Sequence, residues 1–373
     1  MSPAAAVALN ATPSNRARVM IVDDSAVVRG LVARWLNEAG QFEVVGTAAN
    51  GRVAIDLVDR AQPDIVLLDL DMPELDGIST LPHLLRKRPQ MSVIVVSTLT
   101  QRNADISLKC LQLGAVDCLP KPESSREVTT SAGFRGELIA KLQGLAASRH
   151  RKTGMQAGPA PAPAAARPVA VARPRPVAVA PRCLLIGAST GGPRAVTQVI
   201  ASLGLALQRV PVLIVQHMPP IFTAVFAEQL GAQSGVMARE PQHGEKLRPG
   251  HIYVAPGGRH MGLVRGEAQP TIRLDDGPPV NFCRPAVDVL FHDAAAVFGA
   301  ASIAAVLTGM GSDGTLGAQS LVEAGAGVIV QDEASSTVWG MPGSIAKAGL
   351  AQEILPLDRI APALKAALTG GRS

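Results

Sequence analysis

The chain has 373 residues, enough for two or three domains with buried cores, and its 47% hydrophobic and 17% charged residues exclude an intrinsically disordered polymer. Its net charge of +5 invites a nucleic-acid partner, but the excess is local. No acidic residue lies between Glu137 and Glu228, whereas Arg149, Arg151, Lys152, Arg167, Arg173 and Arg175 fall there without interleaved aromatic side chains, which argues against a base-stacking surface. No apolar run reaches the roughly 20 residues that span a bilayer, and the apolar patch Ala4–Leu9 has no basic residue ahead of it, unlike a signal peptide. Cys110, Cys118, Cys183 and Cys283 form no CxxC pair and read as buried free thiols of a reducing cytoplasm.

In chain order, Arg18–Val22 predicts a buried strand ending in Asp23-Asp24-Ser25, followed by a helix with Val27, Leu31, Val32 and Leu36 on one face. Strands follow at Phe42–Val45, Ile65–Leu68, Ser92–Val96 and Ala115–Leu119, alternating with helical patterns and a closing helix over Phe134–Leu145. Strands alternating with helices in this way imply a parallel (βα)5, doubly wound sheet. Asp23, Asp24, Asp69, Ser97 and Lys121 all stand at the C-terminal ends of strands, where such sheets place their sites. Three converging carboxylates suit a hard cation such as Mg²⁺, and a lysine and a hydroxyl beside them suit a phosphoryl group on one carboxylate.

These residues, over Arg18 to Leu145, resemble the receiver domain of bacterial response regulators. The resemblance implies that Asp69 is the phosphoacceptor and that Asp23, Asp24 and Asp69 hold Mg²⁺. Asp71 would contribute through its backbone, Ser97 and Lys121 would sense the phosphate, and Lys121-Pro122 would carry a cis bond. Beyond it, Ser148–Pro181 is an Ala/Pro/Arg-rich tether.

Cys183–Ile186 predicts a buried strand that runs into Gly187-Ala188-Ser189-Thr190-Gly191-Gly192-Pro193 and then a helix, a turn that exposes the Ser189 hydroxyl beside helix amides. A second strand, Val210–Val215, ends at Gln216-His217, and a third, Ser302–Leu307, leads into Thr308-Gly309-Met310-Gly311-Ser312-Asp313-Gly314. Short apolar pieces over residues 240–280, such as His251–Val254, read as a small antiparallel elaboration of a doubly wound, mostly parallel α/β domain. Gly309-x-Gly311-x-x-Gly314 with Asp332 also matches a dinucleotide fingerprint, which keeps a nicotinamide-dependent oxidoreductase open beside a hydrolase and a non-catalytic phospho-switch. Gly187-x-Ser189-x-Gly191 matches the elbow of α/β-hydrolases, but no histidine follows His292 to complete that family's order; Ser189, His217 and Asp313 fit strand ends instead.

From about Pro181 to Leu368 the chain resembles the catalytic domain of the chemotaxis protein-glutamate methylesterases, on Gly-Ala-Ser-Thr-Gly-Gly-Pro, Val-Gln-His-Met-Pro, Arg284-Pro-Ala-Val-Asp288, Leu-Thr-Gly-Met-Gly-Ser-Asp-Gly and Gly340-Met-Pro342. The resemblance implies Ser189 as nucleophile, His217 as base, Asp313 as orienting acid, Thr190 in support and the Met310 amide in the oxyanion hole, with no cofactor for ester hydrolysis. The expected division is a disordered leader over 1–16, a receiver domain over 17–147, a linker over 148–181 and a methylesterase domain over 182–370, the leader and the long linker being departures from the family pattern. The expected partners are methylated chemoreceptors and a histidine kinase. The expected protein is a cytoplasmic monomer that neither binds nucleic acid nor inserts into a membrane.

Overall fold

The structure, a computed structural model, describes residues 16–122, 132–156 and 179–370. The proposed leader and most of the linker therefore lie outside the described residues. Strands β1 (Ala17–Val22), β2 (Phe42–Ala48), β3 (Ile65–Asp69), β4 (Ser92–Thr98) and β5 (Asp117–Lys121) form one parallel sheet in the order β2-β1-β3-β4-β5. Their continuous apolar runs follow from burial on both faces.

Helices α1 (Ala26–Ala39), α2 (Gly51–Ala61), α3 (Gly77–Lys87) and α4 (Gln101–Leu113) each begin at a side chain that accepts an otherwise orphaned amide: Ser25, Asn50, Asp76 and Thr100. The buried face of α1 is Val28, Leu31, Val32, Trp35 and Leu36, and Val27 is 59% exposed. The expected face was thus rotated by one position, because Trp35 spans an i+7 step that the aliphatic pattern skipped. Helix α5 (Ala132–Gln156) lays Phe134, Leu138, Leu142 and Leu145 on the sheet. It runs on to Gln156, so the linker assigned from 148 begins later than expected; Ala146 and Ala147 carry the helix past its last leucine. Among the described residues the one cis peptide is Arg284-Pro285; Lys121-Pro122 is trans, the form an X–Pro bond still favours.

The second sheet contains β6 (Cys183–Ala188), β7 (Val212–Gln216), β8 (Met237–Arg239) and β9 (His251–Val254); β10 (His260–Val264) and β11 (Thr271–Asp275) form a separate antiparallel pair. With β12 (Ser302–Val306), β13 (Gly327–Gln331) and β14 (Glu353–Leu355), the parallel order is β14-β13-β12-β6-β7-β9-β8. His251–Val254 therefore belongs to the main sheet, not to the antiparallel elaboration. It is short, but Ile252 and Val254 pair in parallel with β7 and are buried. Helices α6 (Gly192–Leu203), α7 (Phe222–Ser234), α8 (Val287–Phe298), α9 (Thr315–Glu323), α10 (Met341–Lys347) and α11 (Leu357–Thr369) complete it. Strand order reverses on either side of β6, which puts the loop after β6 at the switch point where open sheets bind ligands.

The two halves pack together. Leu108 and Leu111 of α4 share an apolar cluster with Phe226 of α7, and Gln112 Nε2 donates to Gln229 Oε1 at 3.1 Å. At the end of α5, Ser148 Oγ donates to the Thr337 carbonyl at 2.7 Å, and Arg151 pairs with Glu333 at 2.8 Å. Among the described residues no helix is long and apolar enough to cross a membrane.

Candidate active site and phosphorylation site

Parallel register builds the first site. Val22 of β1 pairs with Leu68 of β3, so Asp23 and Asp69, one residue further on, lie side by side. Both are buried, and carboxylate oxygens of Asp23, Asp24 and Asp69 all come within 4.8 Å of one another. Lys121, at the end of β5, donates to Asp69 Oδ2 at 2.6 Å and to Asp23 Oδ2 at 3.3 Å. Burial raises Asp69 against the opposing charge of Lys121, with Asp23 adding repulsion, and pushes it up to about 6. An oxygen-only set of this kind fits Mg²⁺. Gly77 opens α3 on the Asp69 backbone, where a Cβ would stand 2.2 Å from the Asp69 carbonyl oxygen. Ser97 is buried at the same edge, sharing a 3.0 Å hydrogen bond with Ser107. Asn103 Nδ2 ties the neighbouring loops by donating to Asp71 at 2.9 Å and to Thr98 at 2.8 Å.

The second site uses the same rule. Ala188 of β6 pairs with Gln216 of β7, so Ser189 and His217 are level on adjacent strand ends, and the His217 amide donates to the Ala188 carbonyl at 3.0 Å. Gln216 Nε2 donates to the Ser189 carbonyl at 2.9 Å and fixes the turn from beneath. The turn itself requires Gly191: its φ is 77°, and a Cβ would stand 2.4 Å from Thr337 Oγ1. Helices α6 and α9 begin after Gly191 and Gly314 with no side chain from the N-cap residue; the Gly192 amide instead donates to the Ser189 carbonyl at 2.7 Å, and the Gly317 amide to Asp288 Oδ1 at 2.7 Å.

Asp313 is 1% exposed, and its Oδ2 lies 2.8 Å from His217 Nε2. Amides of Val287, Asp288 and Gly314 donate to it at 2.6, 3.0 and 3.0 Å. Burial would raise Asp313, but His217 and these donors outweigh it and hold the carboxyl below its usual value. For His217, burial disfavours the cation, while hydrogen bonds to Asp313 and Cys283 outweigh it and push the imidazole up to about 9. With Nε2 turned to the acid, Nδ1 faces Cys283 Sγ at 3.5 Å.

Ser189, His217 and Asp313 are thus brought to one strand-end cluster. Thr190 points the other way: its hydroxyl donates to Asp117 Oδ2 of β5 at 2.7 Å, and the Gly191 amide donates to the Val116 carbonyl at 2.9 Å. The Met310 side chain packs on the receiver cluster beside Val338. The dinucleotide fingerprint does not form a phosphate cradle. A Cβ at Gly309 would meet Met341 Sδ at 2.4 Å and Ser189 Cβ at 2.9 Å, and Asp332 is engaged by Ser335 at 3.0 and 2.6 Å. Gly309 and Gly314, where a Cβ would stand 2.9 Å from Val287, serve close packing, and Gly311 serves a turn at φ of 86°.

Sequence reasoning gave no role to Asp117, Lys141, Gln216, Asn281, Cys283 or Asp288. Lys141 Nζ donates to Asp117 Oδ2 at 2.6 Å in a buried pair. Asn281 Nδ2 donates to Asp288 at 2.7 Å and to Asp313 at 3.3 Å. Cys110, Cys118 and Cys183 are buried as expected, but Cys283 is half-buried, because it sits on a turn beside His217 and not inside a strand or helix. Gln216 and Asp288 lay inside quoted motifs, and their polarity within apolar runs was the available signal.

Residues 184–364 match the CheB methylesterase family, and residues 19–132 match the response regulator receiver domain. The chain is 50% identical over 376 residues to the protein-glutamate methylesterase/protein-glutamine glutaminase of Nitrobacter hamburgensis, covering 99% of each. It is 48% identical over 379 residues to that of Rhodopseudomonas palustris strain HaA2, covering 98% of each. The crystal structure of the Thermotoga maritima CheB methylesterase catalytic domain aligns with a TM-score of 0.48 at 38% identity, covering 50% of this chain and 98% of that one.

Proposed function

This chain belongs to the family of protein-glutamate methylesterases/protein-glutamine glutaminases, hydrolases under receiver control in chemotaxis, and on that premise we propose that Ser189, His217 and Asp313 perform the hydrolysis. The observation that carries this reading is the shared level of Ser189 and His217, with Asp313 held 2.8 Å from the far imidazole nitrogen.

Ser189 Oγ attacks the ester carbonyl of a methylated glutamyl side chain on a chemoreceptor while its proton passes to His217 Nδ1. His217 must first shed the proton it carries at rest; Asp313, 2.8 Å away, then stabilises the imidazolium that forms as the serine proton arrives. The oxyanion faces the Met310 amide. Methanol leaves with the proton from His217, and water then attacks the acyl-serine by the reverse relay to give a carboxylate. A glutamine follows the same course with ammonia as leaving group.

A histidine kinase supplies the phosphoryl group to Asp69. Mg²⁺ would be held by Asp23, Asp24 and Asp69 and would neutralise charge on the transferred group. Lys121, bonded to Asp69, would pair the new charge, and Ser97, one residue past the strand partner of Asp69, would turn from Ser107 toward it; the effect passes along β5, which carries Lys121 at one end and Asp117 at the other. The test is methanol release from methylated receptor membranes with acetyl phosphate present. Ser189→Ala should abolish it, His217→Ala should be nearly as severe, and the double variant little worse than either. Retention of most activity by Ser189→Ala would remove the assignment.

A further inference from the structure

Val280 and Cys283 exchange both backbone hydrogen bonds, at 3.0 and 2.8 Å, around a two-residue turn. Asn281 and Phe282 there have φ of 51° and 62°. Such a turn takes Asn readily at its first position and calls for glycine at its second, where a bulky residue is strained. Asn281 is pinned to Asp288 and Asp313, and Cys283 abuts His217, so the two neighbours of Phe282 touch the His217–Asp313 pair while its own ring does not. The Phe282 ring gains nothing inside the protein to offset its strain: it is fully exposed, at 103%.

A second apolar residue repeats the pattern. Ile221, four residues past His217, has φ of 73° and is 36% exposed, although a branched side chain is the least suited to that conformation. The two loops are tied together. The Gly257 backbone lies against Pro219 and Pro220, and the adjacent Gly258 amide donates to the Arg284 carbonyl at 3.1 Å. Three of the five left-handed non-glycine residues among those described therefore flank His217, and both apolar ones show their side chains to solvent. Strained residues held in place by their surroundings gather where function requires them. The receiver covers the Thr190, Met310 and Val338 side of the site and leaves this side bare.

Resting on the assignment of Ser189 and His217 to ester hydrolysis, we propose that Phe282 grips the protein that carries the glutamyl ester, by packing onto an apolar patch beside the esterified side chain. A glutamyl methyl ester is consumed at Ser189 and offers no carbon to a ring on the far side of the turn. Only the body of a protein substrate reaches it. Ile221, exposed on the loop tied to this one, adds a second apolar contact.

The test compares the full chain with Phe282→Gly, which relieves the strained φ, and Phe282→Tyr, which keeps the ring. Methanol release is measured from methylated chemoreceptor membranes and from N-acetylglutamate γ-methyl ester. Phe282→Gly should raise KM and lower kcat/KM about tenfold or more on membranes, with a change under about twofold on the small ester and no fall in Tm. Phe282→Tyr should restore most of the loss. Equal rates of Phe282→Gly and the unaltered protein on membranes would overturn the proposal alone, as would an equal loss on both substrates, which would make the turn a positioning element for His217. An unaltered enzyme that releases methanol from neither substrate would overturn the hydrolase reading and this proposal with it.

Discussion

Thr190 donates its hydroxyl to Asp117 across the boundary between the two sheets, at 2.7 Å, and the same carboxylate oxygen takes the Lys141 ammonium at 2.6 Å. A residue adjoining the nucleophile is thereby fastened to a buried ion pair of the receiver. Burial works against the Lys141 charge, but Asp117 and Glu137 outweigh it and raise its pKa. Lys141→Met should destabilise the protein by about 3–5 kcal/mol, because it strands a buried carboxylate. Adding Asp117→Leu should recover most of that loss, since an apolar pair of similar volume often replaces a buried ion pair at little cost. The double variant also cuts the Thr190 link, so it should hydrolyse faster than the parent without phosphorylation. Urea unfolding and basal methanol release measure the two effects separately, and a double variant as unstable as Lys141→Met would contradict the first.

The imidazole of His217 is pushed up to about 9 from an ordinary 6.5, so the base proposed for the hydrolysis is protonated at neutral pH in the resting protein. kcat/KM should climb about tenfold per pH unit from 6.5 and level off near 9. Stability should move the other way. The folded state binds the extra proton, so its contribution, on the order of 3 kcal/mol at most, is complete below pH 6.5 and lost as pH rises through 9. Asp313→Asn removes the main partner and should shift the kinetic midpoint down. A rate profile flat above pH 7 in the unaltered protein would show that His217 is neutral at rest.

Strand ends were legible because each apolar run stops at a polar residue: Asp23, Asp69, Ser97, Ser189 and His217 were all found from that change alone. The partnership of His217 with Asp313 depended on the glycine loop folding back under α8, which no local pattern encodes. Asp117 lies within an apolar strand and Lys141 within a helical segment, and neither position is marked by any local pattern. Only the docking of α5 on β5 makes them a buried pair. The Asn281-Phe282 turn was missed because its second residue is not the glycine that marks such turns. The dinucleotide fingerprint failed for the complementary reason: its glycines were present, but Met341 and Ser189 fill the space at Gly309 and Val287 the space at Gly314.

Asp69, raised to about 6, predicts a role for Mg²⁺ in stability. The folded receiver takes up a proton that the unfolded chain, at about 3.8, does not. Its contribution is therefore present below pH 3.8 and lost as pH rises through 6. At pH 7, Mg²⁺ at ten times its Kd should add about 1.4 kcal/mol. The gain should fade at pH 5, where Asp69 is largely protonated. Asp69→Asn should remove most of the gain and all labelling by acetyl phosphate. Thermal unfolding with and without Mg²⁺ reads the first outcome, and stoichiometric labelling of Asp69→Asn would overturn the phosphoacceptor assignment.

The last prediction concerns what the receiver does to the esterase at rest. Its contacts fall on the catalytic loops themselves: Asp117 on Thr190, the Val116 carbonyl on the Gly191 amide, Ser148 on Thr337, and a cluster that takes in Met310 and Val338. A protein substrate approaching Ser189 meets the receiver on one side and the open Phe282 side on the other. The catalytic sheet also has a core of its own, formed by Leu185, Val215, Leu290 and Val330 with no receiver residue among them. A chain starting at Pro181 should therefore fold, hydrolyse methylated receptors faster than the unphosphorylated whole protein, and ignore acetyl phosphate. The whole protein should approach it when phosphorylated. A tenfold difference requires only about 1.4 kcal/mol between closed and open arrangements, which one or two charge-assisted contacts can supply. Equal concentrations of the two chains, assayed on the same receptor membranes, decide the matter. A shortened chain slower than the intact unphosphorylated protein would mean that the receiver completes the site and does not obstruct it, and the Thr190–Asp117 bond would then be an activating contact.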